Sequence, residues 1–186
     1  MLGENTGIPH TSNISTPLVI DLDGDGVETL GVDRGVQFDL TNKGNAQQTG
    51  WVGADDGLLV LDLNQNGAID NGAELFGDAT VLTGGDKAKD GFAALAQYDE
   101  NQDGVVDADD SVYAKLGVWQ DKNSDGQTQA GELKSLVEHG LVSLSLKAIE
   151  SDIDSNDNQI GLQSSATKAN GESVELADVW FRWEGH

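Results

Sequence analysis

The chain has 186 residues and carries 33 acidic against 10 basic side chains, a net charge of -23. That charge argues against nucleic acid and anionic membrane as partners, and the absence of cysteine rules out disulfides and thiolate chemistry. Hydrophobic residues still make up 37% of the chain and tryptophan occurs four times, so a packed core is expected rather than disorder.

The acids cluster with Asn and Gly, so the chain should repel itself when bare and fold when cations neutralise it. His10, His139 and His186 lie far apart and give no zinc spacing. No apolar run is long enough to span a membrane. Met1–Glu4 does not open a signal peptide, and the expectation is a segment of a longer extracellular protein, where calcium is plentiful.

Residues 1–16 are polar and read as a flexible lead-in, with the folded domain expected over 17–186. Leu18-Val19-Ile20 is a short buried strand running into Asp21-Leu22-Asp23-Gly24-Asp25-Gly26. This is the first half of a calcium loop: Asp21, Asp23 and Asp25 offer side-chain oxygens at positions 1, 3 and 5, and Val27 a carbonyl at position 7. Position 12 is Val32, so Glu28 or a distant residue must close the site. Gly35–Leu40 and Gly50–Gly53 read as strands. Ala54-Asp55-Asp56-Gly57 is a turn with a D-G hairpin signal. Asp55 and Asp56 serve there as turn formers, calcium ligands or a carboxylate pair. Leu58-Leu59-Val60-Leu61 is continuous and apolar, as in a strand buried on both faces.

That strand runs into a second loop, with Asp62, Asn64, Asn66, the Ala68 carbonyl and Asp70 as ligands. Glu74 falls at position 13, and a short helix around Ala73–Phe76 would swing it inward. Gly77–Asp90 is a glycine-bearing polar loop, a connector or a ligand-facing surface, with Asp78 as a further candidate ligand. Gly91–Tyr98 has helical spacing through Phe92, Leu95 and Ala96. A full-length loop comes next, with Asp99, Asn101, Asp103, the Val105 carbonyl and Asp110 as ligands. Its position-8 residue, Val106, should pair with a partner loop, and a helix is expected over about Asp109–Leu116.

Asp121–Glu132 fits the D-x-[DN]-x-[DN]-G-x5-E calcium pattern with no departure. Its ligands would be Asp121, Asn123, Asp125, the Gln127 carbonyl and both oxygens of Glu132. Residues 111–120 are too few for the two helices of about ten residues that an EF-hand pair places between its loops. Gly117–Gln120 therefore reads as a strand leading into the loop, and about Ala130–Glu138 as an exit helix stopped by Gly140. Leu141–Ile149 alternates as a half-buried strand and leads into an acidic loop, Glu150–Asn158. That loop lacks the position-6 glycine and offers Asp152, Asp154 and Asp157 as candidate ligands. Residues 159–172 read as polar β or loop, and Val174–Trp183 as a closing segment with Trp180, Phe181 and Trp183 for the core. The expected class is α+β: a single compact domain of short strands and short helices built around several EF-hand-like calcium loops. About four or five calcium ions would offset about eight to ten of the 23 excess negative charges.

PLVIDLDGDGVET (from Pro17), TGWVGADDGLLVLDLNQNGAIDNGAELFGD (from Thr49), Asp90–Asp110 and KLGVWQDKNSDGQTQAGEL (from Lys115) resemble the calcium-dependent self-processing module of RTX-type secreted proteins. They also resemble the related peptide-binding domain of very large RTX adhesins. The resemblance covers about Pro17 to Leu146 and, more loosely, the chain to Trp183. In the self-processing branch it implies calcium-triggered cleavage of an Asp–Pro bond, whose aspartate forms a cyclic anhydride that a lysine can capture. Here the matching bond is Thr16–Pro17, and threonine has no carboxylate with which to form an anhydride. The adhesin branch implies a non-enzymatic extracellular module of cell adhesion and biofilms that binds peptides, protein C-termini on a target cell, beside neighbouring domains of a larger adhesin. A calcium ion with an open position would receive the terminal carboxylate, and the Asp21 and Asp62 loops are its expected places because their sequences leave them incomplete. The alternatives are a self-processing module cutting before Pro17 and a calcium-stiffened structural spacer.

Overall fold

The computed structural model describes residues 14–184, and every strand pairing among them is antiparallel. The first half contributes β1 (Ile14–Ser15), β2 (Leu18–Ile20), β3 (Thr29–Leu30), β4 (Val36–Phe38), β5 (Gln47–Thr49), β6 (Trp51–Val52) and β7 (Gly57–Val60). After α1 (Gly91–Ala96) come β8 (Val105–Asp107), β9 (Gly117–Trp119), β10 (Leu133–Ser135) and β11 (Leu141–Ser145). The C-terminal third is β12 (Ile149–Ser155), β13 (Asn158–Lys168) and β14 (Ser173–Glu184).

The main sheet runs β10-β9-β7-β2-β14-β13-β11-β8, with β1 and β5 also on β14, β4 on β5, and β12 on β13. β3 and β6 form a separate pair. Both faces of the central strands are buried. Leu18, Ile20, Leu59 and Leu176 belong to one apolar cluster, and Val19, Leu58, Val60, Ala177 and Val179 to the other. The period-2 alternation of strand side chains divides them in this way. The continuous run Leu58–Val60 is thus a strand covered on both sides, as its sequence suggests. The second cluster centres on Phe38, Trp51, Trp119 and Phe181, whose neighbouring ring centroids lie 5.1 to 6.1 Å apart. Each such contact adds about 0.5–1.5 kcal/mol beyond area burial.

The α+β expectation is overturned: the described residues form a curled, mostly antiparallel β structure with one α-helix of six residues. The outgoing segments of the loops account for the error. Gly131 takes a left-handed φ of 87° and breaks the helical pattern expected over Ala130–Glu138. The chain then returns as β10 on β9, in the register Leu133↔Trp119, so the Asp121 loop is the connection of a hairpin. A 3-10 turn at Val137–His139 does end at Gly140. The helix expected at Asp109–Leu116 shrinks to a 3-10 turn at Tyr113–Lys115, because β9 begins at Gly117. The short helix expected near Ala73 is a 3-10 turn at Gly72–Glu74, followed by Leu75 pairing back on Val60.

Four further expectations change. The acidic segment Glu150–Asn158 is β12 and a hairpin turn at Asn156-Asp157, whose φ values of 53° and 68° suit a primed turn. The Asp56-Gly57 turn does not close a hairpin, since β6 pairs with β3 whereas β7 pairs with β2 and β9. Order begins before Pro17: Ser15 and Thr16 are buried and β1 pairs with β14, while residues 1–13 of the expected lead-in lie outside the described residues. Trp180 and Trp183 are half-buried, and only Phe181 of the three closing aromatics lies fully in the core.

Candidate metal loops and the Thr16–Pro17 turn

Four Asp-led loops share one hydrogen-bond scheme. The first aspartate accepts backbone N–H groups from the turn, and a carboxylate from the far side accepts two more. Asp121 takes Asp125 and Gly126 at 3.2 and 2.8 Å, and Glu132 takes Lys122 and Gln129, each at 3.0 Å. Asp99 takes Asp103 and Gly104 at 3.2 and 2.9 Å, and Asp110 takes Glu100 and Asp107 at 2.7 and 3.0 Å. Asp62 takes Asn66 and Gly67 at 3.2 and 2.8 Å. Glu74, at position 13, still reaches Leu63 and Asp70 at 2.9 and 2.7 Å because the 3-10 turn carries it inward.

The Asp21 loop is closed from outside its own sequence. Asp21 accepts from Gly24 and Gly26 at 2.7 and 3.0 Å. Asp56, from the turn before β7, accepts from Leu22 and Glu28 at 3.2 and 2.7 Å, the place that Glu132 holds in the Asp121 loop. Asp56 is buried and Asp55 is exposed, so the pair divides into one loop member and one solvent group. Glu28 contributes its amide, with its side chain exposed. Val27 is buried, and its N–H donates to Glu175 at 2.9 Å, a partner that lies 148 residues away and carries no local motif.

Within the loops the remaining candidates face outward. Asn64 and Asn66 both donate to Asp70 at 2.9 Å, Asn101 to Asp103 at 3.2 Å, and Asn123 to Asp125 at 2.9 Å. Ala68, Val105 and Gln127 stand at the position whose carbonyl was expected to bind metal. Two loops also touch: the Ile69 N–H donates to Thr128 Oγ1 at 3.0 Å. Both residues are at position 8, so the Asp62 and Asp121 loops are joined there. Val106, expected to pair with another loop, instead sits in β8 opposite Leu144 of β11. Asp152 and Asp154 lie on β12 and Asp157 in its turn, where Asp152 accepts from Gln159 and Asp154 from the Asp157 N–H.

The donor set suits a hard cation. Asp21, Asp23 and Asp56 place carboxylate oxygens all within 4.8 Å of one another. Burial pushes Asp56 up to about 7, opposed by the Glu28 and Leu22 amides and reinforced by the charges of Asp21 and Asp23. The hydrogen bond between the Asp23 and Asp25 carboxyls pulls the first below and pushes the second above the ordinary carboxylate range. Burial also raises Asp121, against the lowering effect of the Gly126 and Asp125 amides and the Trp51 N–H. Crowding of this kind between carboxyls is what a divalent cation would relieve.

A fifth turn escaped the sequence reading because it lacks the acidic pattern. Asp39 accepts from Lys43 and Gly44 at 3.0 and 2.8 Å, as the loop-leading aspartates do. Asn42 has φ 55°, matching Gln65, Gln102 and Ser124 at the same position of their loops. Positions 3 and 5 are here Thr41 and Lys43, so the turn keeps the backbone and lacks the ligands.

The Thr16–Pro17 bond is tightly held. The Thr16 N–H and the Ser15 hydroxyl both donate to Asp78 Oδ1, at 3.1 and 2.5 Å, and the Pro17 carbonyl accepts from Val179 N–H at 3.0 Å. Asp78 therefore serves this turn. Gly77 packs so closely that a Cβ there would fall 1.3 Å from the Thr16 carbonyl oxygen. Asp178 is fully buried nearby, and among the described residues neither of its oxygens completes a hydrogen bond; the same holds for Thr16 Oγ1. Burial pushes Asp178 up to about 8, although the Gly91 amide and the Thr16 hydroxyl act to lower it. Sequence reading missed Asp178, since an isolated aspartate in an apolar strand carries no motif.

Residues 18–182 match the SPM domain. The iron-regulated protein FrpA of Neisseria meningitidis serogroup C is 48% identical over 171 residues, which is 90% of this chain and 15% of FrpA. The chain thus spans 15% of that relative's length. With the match running from β2 into β14, the chain belongs to the SPM domain family.

Proposed function

We propose that the domain is a calcium-dependent, extracellular adhesion module that binds peptide segments, protein C-termini among them, as part of a larger surface protein. The observation that carries this reading is a polar cleft of about 530 Å³ between three turns: Asp39–Gly44, Ala68–Asn71 and Gly126–Thr128. Two of these turns belong to the Asp62 and Asp121 loops, so the shape of the cleft depends on the state of those loops. Asn45, Asn71, Gln127 and Thr128 line it with both donors and acceptors, the groups that a peptide backbone requires.

Calcium would be held by Asp21, Asp23 and Asp56, and by the acids of the Asp62, Asp99 and Asp121 loops. Its contribution is charge neutralisation and loop closure. The chain's own residues do the rest. Ile69 and Thr128 hold two walls of the cleft together, and Gly126 lies close against β4, the strand that leads into the third. At φ 73°, with a Cβ that would lie 3.0 Å from the Gln37 carbonyl, Gly126 has no equivalent substitute. The self-processing alternative has little support because Thr16 supplies no carboxylate to attack its own carbonyl.

A peptide array probed with the domain in calcium and in chelator tests the proposal. Calcium-dependent capture is expected. Equal signals in both conditions, or none in calcium, would overturn it.

A further inference from the structure

The loops point away from metal as the receiver of a ligand carboxylate. The Asp21 and Asp62 loops, incomplete in sequence, are both closed in space, by Asp56 and Glu74. A terminal carboxylate approaching a chain of net charge -23 then needs cations of the protein's own. Only 10 basic residues exist, and two of them, Lys43 and Lys87, line one hollow of about 220 Å³ together with Ser15, Thr41, Asp78 and Trp183.

Three features make this hollow unlike the other acidic surfaces. Lys43 occupies position 5 of the Asp39 turn, where the metal-type loops carry Asp or Asn, so the same backbone presents an ammonium in place of an oxygen. Neither Lys43 nor Lys87 forms an ion pair among the described residues. Trp183 forms part of the wall, and its indole N–H is buried just behind it without a hydrogen-bond acceptor among the described residues, so its signal reports on what enters the hollow. The one acid present, Asp78, already accepts from the Ser15 hydroxyl and the Thr16 amide, and two lysines outweigh it. The Asp39 turn also borders the larger cleft: Asp39 and Gly44 line that cleft, and Thr41 and Lys43 line the hollow.

We infer that the Lys43–Lys87–Trp183 hollow is a carboxylate-binding subsite that receives the free C-terminus of a peptide lying in the adjoining cleft. The inference rests on the peptide-binding reading for its biological ligand, but the subsite can be tested without it. Two ammonium groups supply the charge-assisted donors that a carboxylate needs, and 220 Å³ holds one terminal residue and little more.

The test uses the calcium-loaded chain and follows its tryptophan indole N–H signals by NMR, with Trp183 assigned through Trp183→Phe. N-acetylglycine, a minimal C-terminus, is expected to shift the Trp183 signal, and N-acetylglycinamide is not. The double variant Lys43→Gln/Lys87→Gln should weaken the effect by about tenfold or more. An unchanged melting temperature of that variant in calcium would show that it folds. No movement of the Trp183 signal, or an equal response in the double variant, would overturn the subsite. Inorganic phosphate shifting the signal at lower concentration than N-acetylglycine would overturn the carboxylate assignment.

A peptide array separates this inference from the function it deepens. Wild-type capture of free C-termini that the double variant retains would remove the subsite and leave peptide binding standing. N-acetylglycine binding with no array signal would remove peptide binding and leave the subsite.

Discussion

Trp51 donates its indole N–H to Asp121 Oδ2 at 2.7 Å, and so joins the aromatic core to the first residue of the most complete metal-type loop. Both side chains are fully buried. The carboxylate spends its other acceptor capacity on Asp125 and Gly126, so Trp51 fixes where the loop begins. Trp51→Phe would keep most of the ring packing and leave a buried oxygen short of a donor, at a cost of about 1–3 kcal/mol. A thermal melt in saturating calcium should fall by several degrees, and calcium affinity should fall with it. An unchanged melt would show that the bond only decorates the loop.

Removing calcium should affect the whole domain. The loops sit at the ends of β2, β7 and β9, which are neighbours in or beside the centre of the main sheet. Bare carboxyls within 4.8 Å of one another at the Asp21 loop repel, and binding energy at such sites is folding energy. Chelator should lower the melting temperature steeply or unfold the chain, as read by circular dichroism. A melt unmoved by chelator would contradict the role assigned to every loop.

Asp55 and Asp56 give a sharper test because they are adjacent in sequence and opposite in environment. Asp56 completes the Asp21 loop through Leu22 and Glu28, whereas Asp55 is exposed. Asp56→Asn should remove one calcium from the count found by native mass spectrometry and destabilise the loaded domain. Asp55→Asn should do neither. Equal effects would mean that the closing role of Asp56 is misplaced.

The turn at Thr16–Pro17 predicts an intact chain. Thr16 carries a hydroxyl where an attacking carboxylate would be needed, and its amide is tied to Asp78. Calcium added to the full chain should leave a single band of unchanged length on a gel. A shorter product beginning at Pro17 would restore the self-processing reading.

Local chemistry was legible in the sequence; long-range closure was not. The Asp-x-Asp/Asn-x-Asp/Asn-Gly runs each fold into the turn that their spacing implies, since every contact of the leading aspartate with the turn's backbone lies within five residues. The apolar run at Leu58 forms a strand covered on both faces for the same local reason. The segments leaving the loops were not legible in this way. Helical spacing over Ala130–Glu138 competes with cross-strand pairing to β9, and the pairing wins at Gly131. Asp56 and Glu175 act on the Asp21 loop from sequence positions 28 or more residues away, and no spacing rule reaches that far. The Asp39 turn was hidden by the opposite problem: its backbone matches the loops, but its side chains do not.

Asp178 carries the last prediction, and its sign comes from burial. The carboxyl is fully buried with no completed hydrogen bond among the described residues, and burial pushes it up to about 8, against an ordinary value of 3.8. A raised folded value means that the native state binds this proton more tightly than the unfolded chain does. Its contribution to stability is therefore fully present below the ordinary value and is lost as pH rises toward 8, with a limiting slope of about 1.4 kcal/mol per pH unit. Asp178→Asn keeps the size and removes the titration. In saturating calcium the wild-type melting temperature should fall between pH 6 and about pH 8, and the variant should show a flatter profile. The two curves should cross or diverge in favour of the variant at the alkaline end. Parallel profiles across that window would mean that Asp178 does not bind its proton more tightly in the folded chain.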